Sequence, residues 1–478
     1  MKINYSLIEK KNRPIKIMQF GEGNSLRGFV EWIINRMNKS SCFNSDIVVV
    51  QPLKNGRIEG LKEQEGLYTV ILEGIKEKEV VSKKEIIDCL KDFINPYLEY
   101  KKFLDYAKSM DLEYIISNTT EAGIVLDKND LDFNECPNSF PSKLLALLKK
   151  RYDYFKGDVS KGLHILACEL IDNNGEKLKN ILNELSVLKG YDEEFIKWLN
   201  KYNYFYNTLV DRIVPGYPYD MKEEYEKMLG YEDDFMVKGE VFHLWVIEDK
   251  VGIKNKFDIR DRDLNVLFVN DIRKYKDIKV KVLNGAHTCI FSIAYMYGLD
   301  TIYQCVNNDY ILKFLKTFLY DEVKSALLMD EDIVNKYIES TIERFNNPFI
   351  KHNVLDISLN SLTKFKTRIY DTILVNLNNK VFCKCALFSL TSLIAFYLLH
   401  EDKIKDNEEY LKEFCKFRKM FKNNIESSKE IIISFLKMPH FEIDLSVNEE
   451  VVDYMAYYLL KIFKDGMKLT LEEFCNEL

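Results

Sequence analysis

An α/β domain followed by a mostly α-helical domain is the fold this chain predicts, and three observations carry that expectation. A β-prone run, Ile15–Phe20, leads straight into Gly21-Glu-Gly23-Asn-Ser-Leu-Arg27-Gly28, and apolar residues at helical spacing follow at Phe29, Val30, Ile33, Ile34 and Met37. Strand, glycine turn and helix in that order open a dinucleotide-binding βαβ unit of Rossmann type. Strand-like runs recur up to residues 264–269, whereas beyond Asp271 nearly every apolar pattern is helical. At 478 residues the chain is too long for one core. The expected domains are 1–262, binding a dinucleotide, and 263–478, a helical substrate and catalytic domain.

Taken in order, the glycine pair lets the backbone approach a pyrophosphate, and the helix start supplies N–H groups and partial positive charge. Gly21, Gly23, Asn24 and Arg27 are therefore the expected cofactor contacts, with an ordinary tight turn as the competing reading. The third glycine of G-x-G-x-x-G is replaced by Leu26. Asp46–Val50 reads as the second strand, and Gln51 stands where an acid would often hold the adenosine ribose. Lys54 and Arg57 are close enough in sequence to meet a 2′-phosphate, so Gln51 leaves NAD and NADP both open.

Residues 67–72 and 79–82 flank a polar turn and read as a hairpin inserted in the sheet. The strand 114–118 ends in a polar tip, Asn118-Thr-Thr-Glu121-Ala-Gly123. The strand 164–169 ends in Glu169, with Asp172, Asn173 and Asn174 behind it. Together with the Gly21 turn these tips argue for a cleft on one sheet edge, and Asn118 joins the cofactor candidates. Helical patterns follow at 178–188 and 195–202. Asp211-Arg212 precedes a Pro215-Gly216 stop, and 241–247 and 264–269 read as further strands. The helical half offers helices from Lys279 to Met296 and over 310–328, 333–345, 388–399 and 408–421.

Bulk properties narrow the function classes. A net charge of −7 with interspersed lysines gives no electrostatic footprint for nucleic acid. The 14-residue apolar stretch 386–399 is too short to span a bilayer and fits a buried helix. Ten scattered cysteines and a charged start read as free thiols in the cytoplasm. Cys383-Lys-Cys385 lacks the spacing of common zinc motifs, so no metal is expected.

The most suggestive stretch is Lys279-Val-Lys-Val-Leu-Asn284-Gly-Ala-His287. On a helix turning about 100° per residue, Asn284 lies about 140° and His287 about 80° from Lys279, so all three look out from one broad face. A lysine moves protons, an amide polarises a carbonyl and an imidazole orients either one. Spacing alone favours the plainer reading, an amphipathic helix with a solvated lysine and a core histidine.

Several runs together resemble the long-chain polyol-specific dehydrogenases, the mannitol dehydrogenase family, and within it the tagaturonate-reducing branch. They are Gln19-Phe-Gly-Glu-Gly-Asn-Ser-Leu-Arg27, Ser117-Asn-Thr-Thr-Glu-Ala-Gly123, Cys168-Glu-Leu-Ile-Asp172, Thr208-Leu-Val-Asp-Arg-Ile-Val-Pro215, Lys279 to His287, and Asn347-Pro-Phe-Ile-Lys-His352. The resemblance implies metal-free, reversible hydride transfer between NAD and a ketose or keto sugar acid, with catalysis between a Rossmann-type domain and a helical domain. Carried over by position, Lys279 is the acid/base, Asn284 polarises the reacting oxygen, His287 positions substrate, and Asp211 partners the lysine. An asparagine common in the family after the Cys-acid pair is replaced here by Leu170, with Asn173 and Asn174 nearby.

Burial, or the neighbouring cations Lys276 and Lys281, would bring the lysine toward its working range. A uronate also demands a cation, for which Arg212, Lys351, His352, Lys364, Lys366 and Arg368 are candidates. The alternatives are another polyol or uronate dehydrogenase, acting on fructuronate or mannitol, and a catalytically silent dinucleotide-binding regulator.

Overall fold

In chain order the strands are β1 (Ile15–Phe20), β2 (Asp46–Val50), β3 (Tyr68–Lys76), β4 (Glu79–Ile87), β5 (Leu90–Ile94), β6 (Tyr114–Ser117), β7 (His164–Ala167), β8 (Tyr204–Tyr206), β9 (Thr208–Asp211), β10 (Val237–Gly239), β11 (Leu244–Glu248) and β12 (Val266–Val269). They belong to a computed structural model that describes residues 1–40, 43–120, 122–257, 259–441 and 444–478. The chain divides into two compact units, Met1–Ile272 and Arg273–Leu478. β12 pairs with β11 and so stays with the first unit.

The first unit is built on a six-stranded sheet in the order β5-β2-β1-β6-β7-β8. Every pairing in it is parallel. A parallel sheet is covered on both faces, and the strands accordingly alternate between two apolar cores. Ile17, Ile47, Val49 and Ile116 point into one. Met18, Phe20, Val48, Val50, Ile115 and Ile165 point into the other. The chain winds from β1 outward through β2 to β5, then returns to the far side of β1 for β6 to β8. The carboxyl ends of β1 and β6 therefore flank the point where the winding reverses, the usual ligand crevice of such sheets.

The hairpin departs from expectation. β3 and β4 do pair antiparallel, but they form a separate three-stranded sheet with β10 rather than entering the main one. Most of β4 is exposed or half-buried, a pattern that could not survive inside a sheet buried on both faces. The place beside β2 is taken instead by β5, which the sequence reading missed. Strands β12, β11 and β9 make a third sheet.

The second unit, over its described residues, is helical. Arg273–Ile278, Lys279–Asn284 and Gly285–Tyr297 run consecutively, and the middle segment is a π-type turn. The same widening occurs at Phe318–Val323 and Lys366–Tyr370. Lys384–Leu399 is the buried helix expected from the apolar stretch. Its hydroxyls are satisfied without water: Ser389 Oγ donates to the Cys289 carbonyl at 2.8 Å, Thr391 Oγ1 to Leu387 at 2.8 Å, and Ser392 Oγ lies 3.0 Å from Ser292 Oγ. The long helix Glu449–Glu477 is interrupted at Gly466, where φ is 80°.

Candidate active site

Gly21 holds the turn after β1. Its φ of 118° is a left-handed conformation, and a Cβ there would meet the Asn118 carbonyl oxygen and Leu26 Cδ1, each at 2.9 Å. The Gly21 N–H donates to Val50 O at 3.0 Å and the Asn118 N–H to Phe20 O at 3.2 Å, so the β1, β2 and β6 tips are tied together. Gly23 is different. Its backbone is ordinary, with φ −69°, and a Cβ there would meet nothing within 4 Å. The first glycine is thus required by the chain itself, and the second leaves open space before the helical run Asn24–Leu26, Arg27–Glu31 and Trp32–Ser40.

The remaining expected cofactor residues are braced into the fold. Arg27 is only 3% exposed. It donates to Phe235 O at 2.5 Å, Asn24 Oδ1 at 2.5 Å and Glu22 O at 3.3 Å, with its guanidinium over the Tyr68 and Phe235 rings. The function that a third glycine serves, close helix packing, falls to Gly28, whose Cβ position is 2.9 Å from Val214 Cγ1. Gln51 is buried and its Nε2 donates to Leu53 O at 2.8 Å and Lys54 O at 3.2 Å.

On the β6 and β7 tips, the buried Glu169 carboxylate accepts from Ser117 Oγ, Thr119 N and Thr119 Oγ1, all at 3.0 Å. That fixes the backbone beside Asn118, which is half-buried. Glu121 lies outside the described residues. Leu170 is 59% exposed. Asn174 is buried with its amide bonded to Glu169, Gly175 and Thr208 backbone, which leaves Asn173, exposed with φ 50°, as the asparagine of that pair whose side chain faces outward.

Asp211 ends β9, buried. Arg212 is half-buried against the Trp32 ring at 4.1 Å, and its three nitrogens donate to Phe242 O, Gly28 O and Val241 O. Burial lowers its pKa to about 9. This placement argues against Arg212 as a substrate carboxylate contact: its guanidinium clamps the helical run after the glycine turn, and the carboxylate question passes to the second unit.

There, Lys279 and Asn284 begin and end the π-type turn, both half-buried. Regular α spacing therefore does not hold between them, and the angles expected from 100° per residue are altered by the widened turn. Such insertions recur at functional sites. Lys281 is ion-paired with Asp371, so its charge is offset rather than bare. His287 is 8% exposed and its Nε2 is buried without a hydrogen-bond partner among the described residues. Burial, then the charges of His352, Arg344 and Arg368, drive its pKa well below the usual value, against a hydrogen bond to the Leu283 backbone.

Around it stand several of the expected cations. His287 lies against the Phe345 ring at 4.3 Å and His352 at 4.7 Å. Arg368, from the π-type turn Lys366–Tyr370, donates to Thr288 Oγ1 at 3.0 Å and to Asn284 O at 3.4 Å. Lys364 donates to Ile357 O at 3.0 Å, and burial followed by the charge of Arg368 lowers its pKa. Lys351 is exposed and Lys366 half-buried. The sequence reading missed Thr288, which a helical offset of four from Asn284 could have flagged, and Arg344, 7% exposed beside Phe345, for which no local signal existed. Among the described residues, no group of three or more His, Cys, Asp or Glu side chains could hold a metal, and no helix is long and apolar enough to cross a membrane.

Comparison with known proteins agrees with this layout. The Mannitol dehydrogenase Rossmann domain matches residues 15–261, and the Mannitol dehydrogenase C-terminal domain matches residues 271–463. An altronate oxidoreductase of Bacillus subtilis is 38% identical over 97% of this chain and 95% of its own length. One of Shigella flexneri is 37% identical over 97% of each chain. Among solved structures, a substrate-free D-sorbitol dehydrogenase aligns with TM-score 0.82 at 20% identity, over 98% of this chain and all of its own. Pseudomonas fluorescens mannitol 2-dehydrogenase, in a ternary complex with NAD and D-mannitol, aligns with TM-score 0.72 at 17% identity over the whole of both chains. The parallel switch-point sheet, the helical second unit and these matches together lead to one assignment: the chain belongs to the mannitol dehydrogenase family.

Proposed function

We propose that the protein is an NAD-dependent oxidoreductase of the cytoplasm that interconverts the keto sugar acid D-tagaturonate and D-altronate in hexuronate catabolism, without a metal. The observation that carries the choice of an acidic sugar is the pair of cations Lys364 and Arg368, gathered with His352 beside Asn284 and His287. The altronate oxidoreductases, at 38% and 37% identity over nearly the whole chain, support the same substrate.

The first unit is read as the dinucleotide-binding domain. Gly21 and Asn118 shape its crevice, the bare backbone at Gly23 fits a pyrophosphate, and Asn24 and Arg27 hold the turn rigid. A dinucleotide held there would supply a hydride to the carbonyl carbon as NADH and accept it back as the oxidised form in the reverse direction. Lys279 gives a proton to the developing alkoxide and, as the neutral amine, removes one in the oxidation direction. The Asn284 amide donates to that oxygen, a bond that strengthens as charge grows there. Neutral His287 accepts a substrate hydroxyl at Nε2, which has no other partner among the described residues. Arg368 suits a carboxylate because its planar fork can bond both oxygens.

Purified protein with NADH and a panel of D-tagaturonate, D-fructuronate and D-fructose tests the reading. Highest kcat/KM on D-tagaturonate is expected. Faster turnover of fructose than of either uronate would overturn the acid-sugar assignment.

A further inference from the structure

Position 51, where an acid commonly meets the adenosine ribose, is a glutamine whose amide nitrogen is turned onto its own loop. A carboxylate nevertheless reaches that place, from the glycine turn. A Cβ added at Gly56 would lie 2.4 Å from Oε1 of Glu22 and 2.4 Å from Oε1 of Gln51, so the two side chains converge over Gly56. The Arg57 N–H approaches Glu22 Oε1 at 3.4 Å and anchors it there.

The parallel register makes this convergence possible. Phe20 is level with Val50, so the turn after β1 and the turn after β2 lie side by side on one edge of the sheet. Arg27 is the cation whose charge acts on Glu22, and its guanidinium nitrogens are bonded to Phe235 O, Asn24 Oδ1 and the Glu22 backbone rather than to the carboxylate. Lys54 and Arg57 are exposed, and the Arg57 guanidinium is turned over the Phe235 ring at 5.2 Å.

We propose that Glu22 replaces the missing acid at the end of β2, accepting hydrogen bonds from the adenosine ribose hydroxyls and repelling a 2′-phosphate, so that the site selects NAD over NADP. The inference rests on the dinucleotide-binding reading and adds the residue that enforces the choice. It is a contact made across two neighbouring turns, with Glu22 supplied from β1 and its floor, Gln51 to Arg57, from β2. The selectivity needs no charge at position 51. A like-charge clash of this kind lowers affinity for the phosphorylated dinucleotide by about 10²-fold.

The test is equilibrium titration of the full-length protein with NADH and with NADPH, followed by nucleotide fluorescence, for wild type, Glu22→Gln and Glu22→Ala. Glutamine keeps an acceptor for the Arg57 N–H, and alanine only removes atoms, so folding is checked independently by circular dichroism in both. Wild type is expected to bind NADH about 10²-fold more tightly than NADPH, and either variant to narrow that ratio by about tenfold or more, mostly by tightening NADPH. A ratio unchanged in both folded variants, alongside tight NADH binding, overturns this inference alone. Wild type that binds neither nucleotide overturns the dinucleotide-binding reading as well.

Discussion

The imidazoles of His287 and His352 lie ring against ring, their centroids 4.7 Å apart and their planes at 53°. Burial disfavours charge on each ring and lowers both pKa values; the charge of His352 adds to this at His287, and at His352 Asp356 opposes it while Lys364 adds to it. A neutral His287 has Nε2 without a partner among the described residues and can offer it to a ligand as an acceptor. His287→Phe keeps the packing against Phe345 and removes that acceptor. It is expected to lower kcat/KM by about 10- to 10²-fold while leaving the acidic limb of the pH–rate profile in place. A limb near pH 6 that vanishes in the variant would show that His287 itself titrates.

The proposed proton carrier is a different residue. Lys279→Ala is expected to lower kcat by about 10²-fold or more with NADH affinity retained, as read by single-turnover kinetics and nucleotide fluorescence. Near-normal turnover would remove Lys279 from the chemistry.

Arg368 sits at 3.0 Å from Thr288 Oγ1, one helical turn from Asn284. If it meets the substrate carboxylate, Arg368→Ala raises KM for the uronate by about 10²-fold and changes KM for a neutral ketose far less. Equal losses on both substrates would assign Arg368 to bracing the π-type turn instead.

The two glycines of the turn separate structure from binding. Gly21→Ala forces a side chain into φ 118° and against the Asn118 carbonyl, and is expected to cost about 1–3 kcal/mol of stability, read as a lowered Tm. Gly23→Ala meets nothing within 4 Å, so Tm should hold while NADH affinity falls by about tenfold or more. A drop in Tm for Gly23→Ala and none for Gly21→Ala would reverse the assignment.

His164, packed between Tyr114 and Tyr204 with Nδ1 2.7 Å from Tyr206 Oη, has its pKa lowered to about 4 by burial first and by Lys256 second. The unfolded chain binds this proton below about pH 6.5 and the folded chain does not, so the contribution is present above 6.5 and lost as pH falls toward about 4. Chemical denaturation across that window is expected to show His164→Phe losing about one proton from the pH slope of stability relative to wild type. An unchanged slope would mean that His164 is charged in the fold.

Much of the first unit was legible because its signals are local. Ile15–Phe20 and Asp46–Val50 are apolar runs bounded by turn residues, and they form β1 and β2 at those bounds. The helix of residues 386–399 announced itself by composition, and its hydroxyls found partners on Gly285–Tyr297 and on its own preceding turn. β5 was illegible because Leu90–Ile94 is short and charged at Lys91 and Asp92, and only its register against β2 makes it a strand.

The residues themselves determined that a dinucleotide-type turn opens the chain, that helices dominate after Asp271, and that a lysine, an amide and an imidazole share one short stretch. Only the tertiary structure decided what each side chain is spent on. Arg27 and Arg212 are consumed by backbone carbonyls, whereas His287 keeps an unpartnered Nε2 and Glu22 reaches the place that Gln51 leaves without an acid. Sequence spacing specifies which residues can share a face; the register of neighbouring strands and the desolvation of each group specify which polar atoms remain for a ligand.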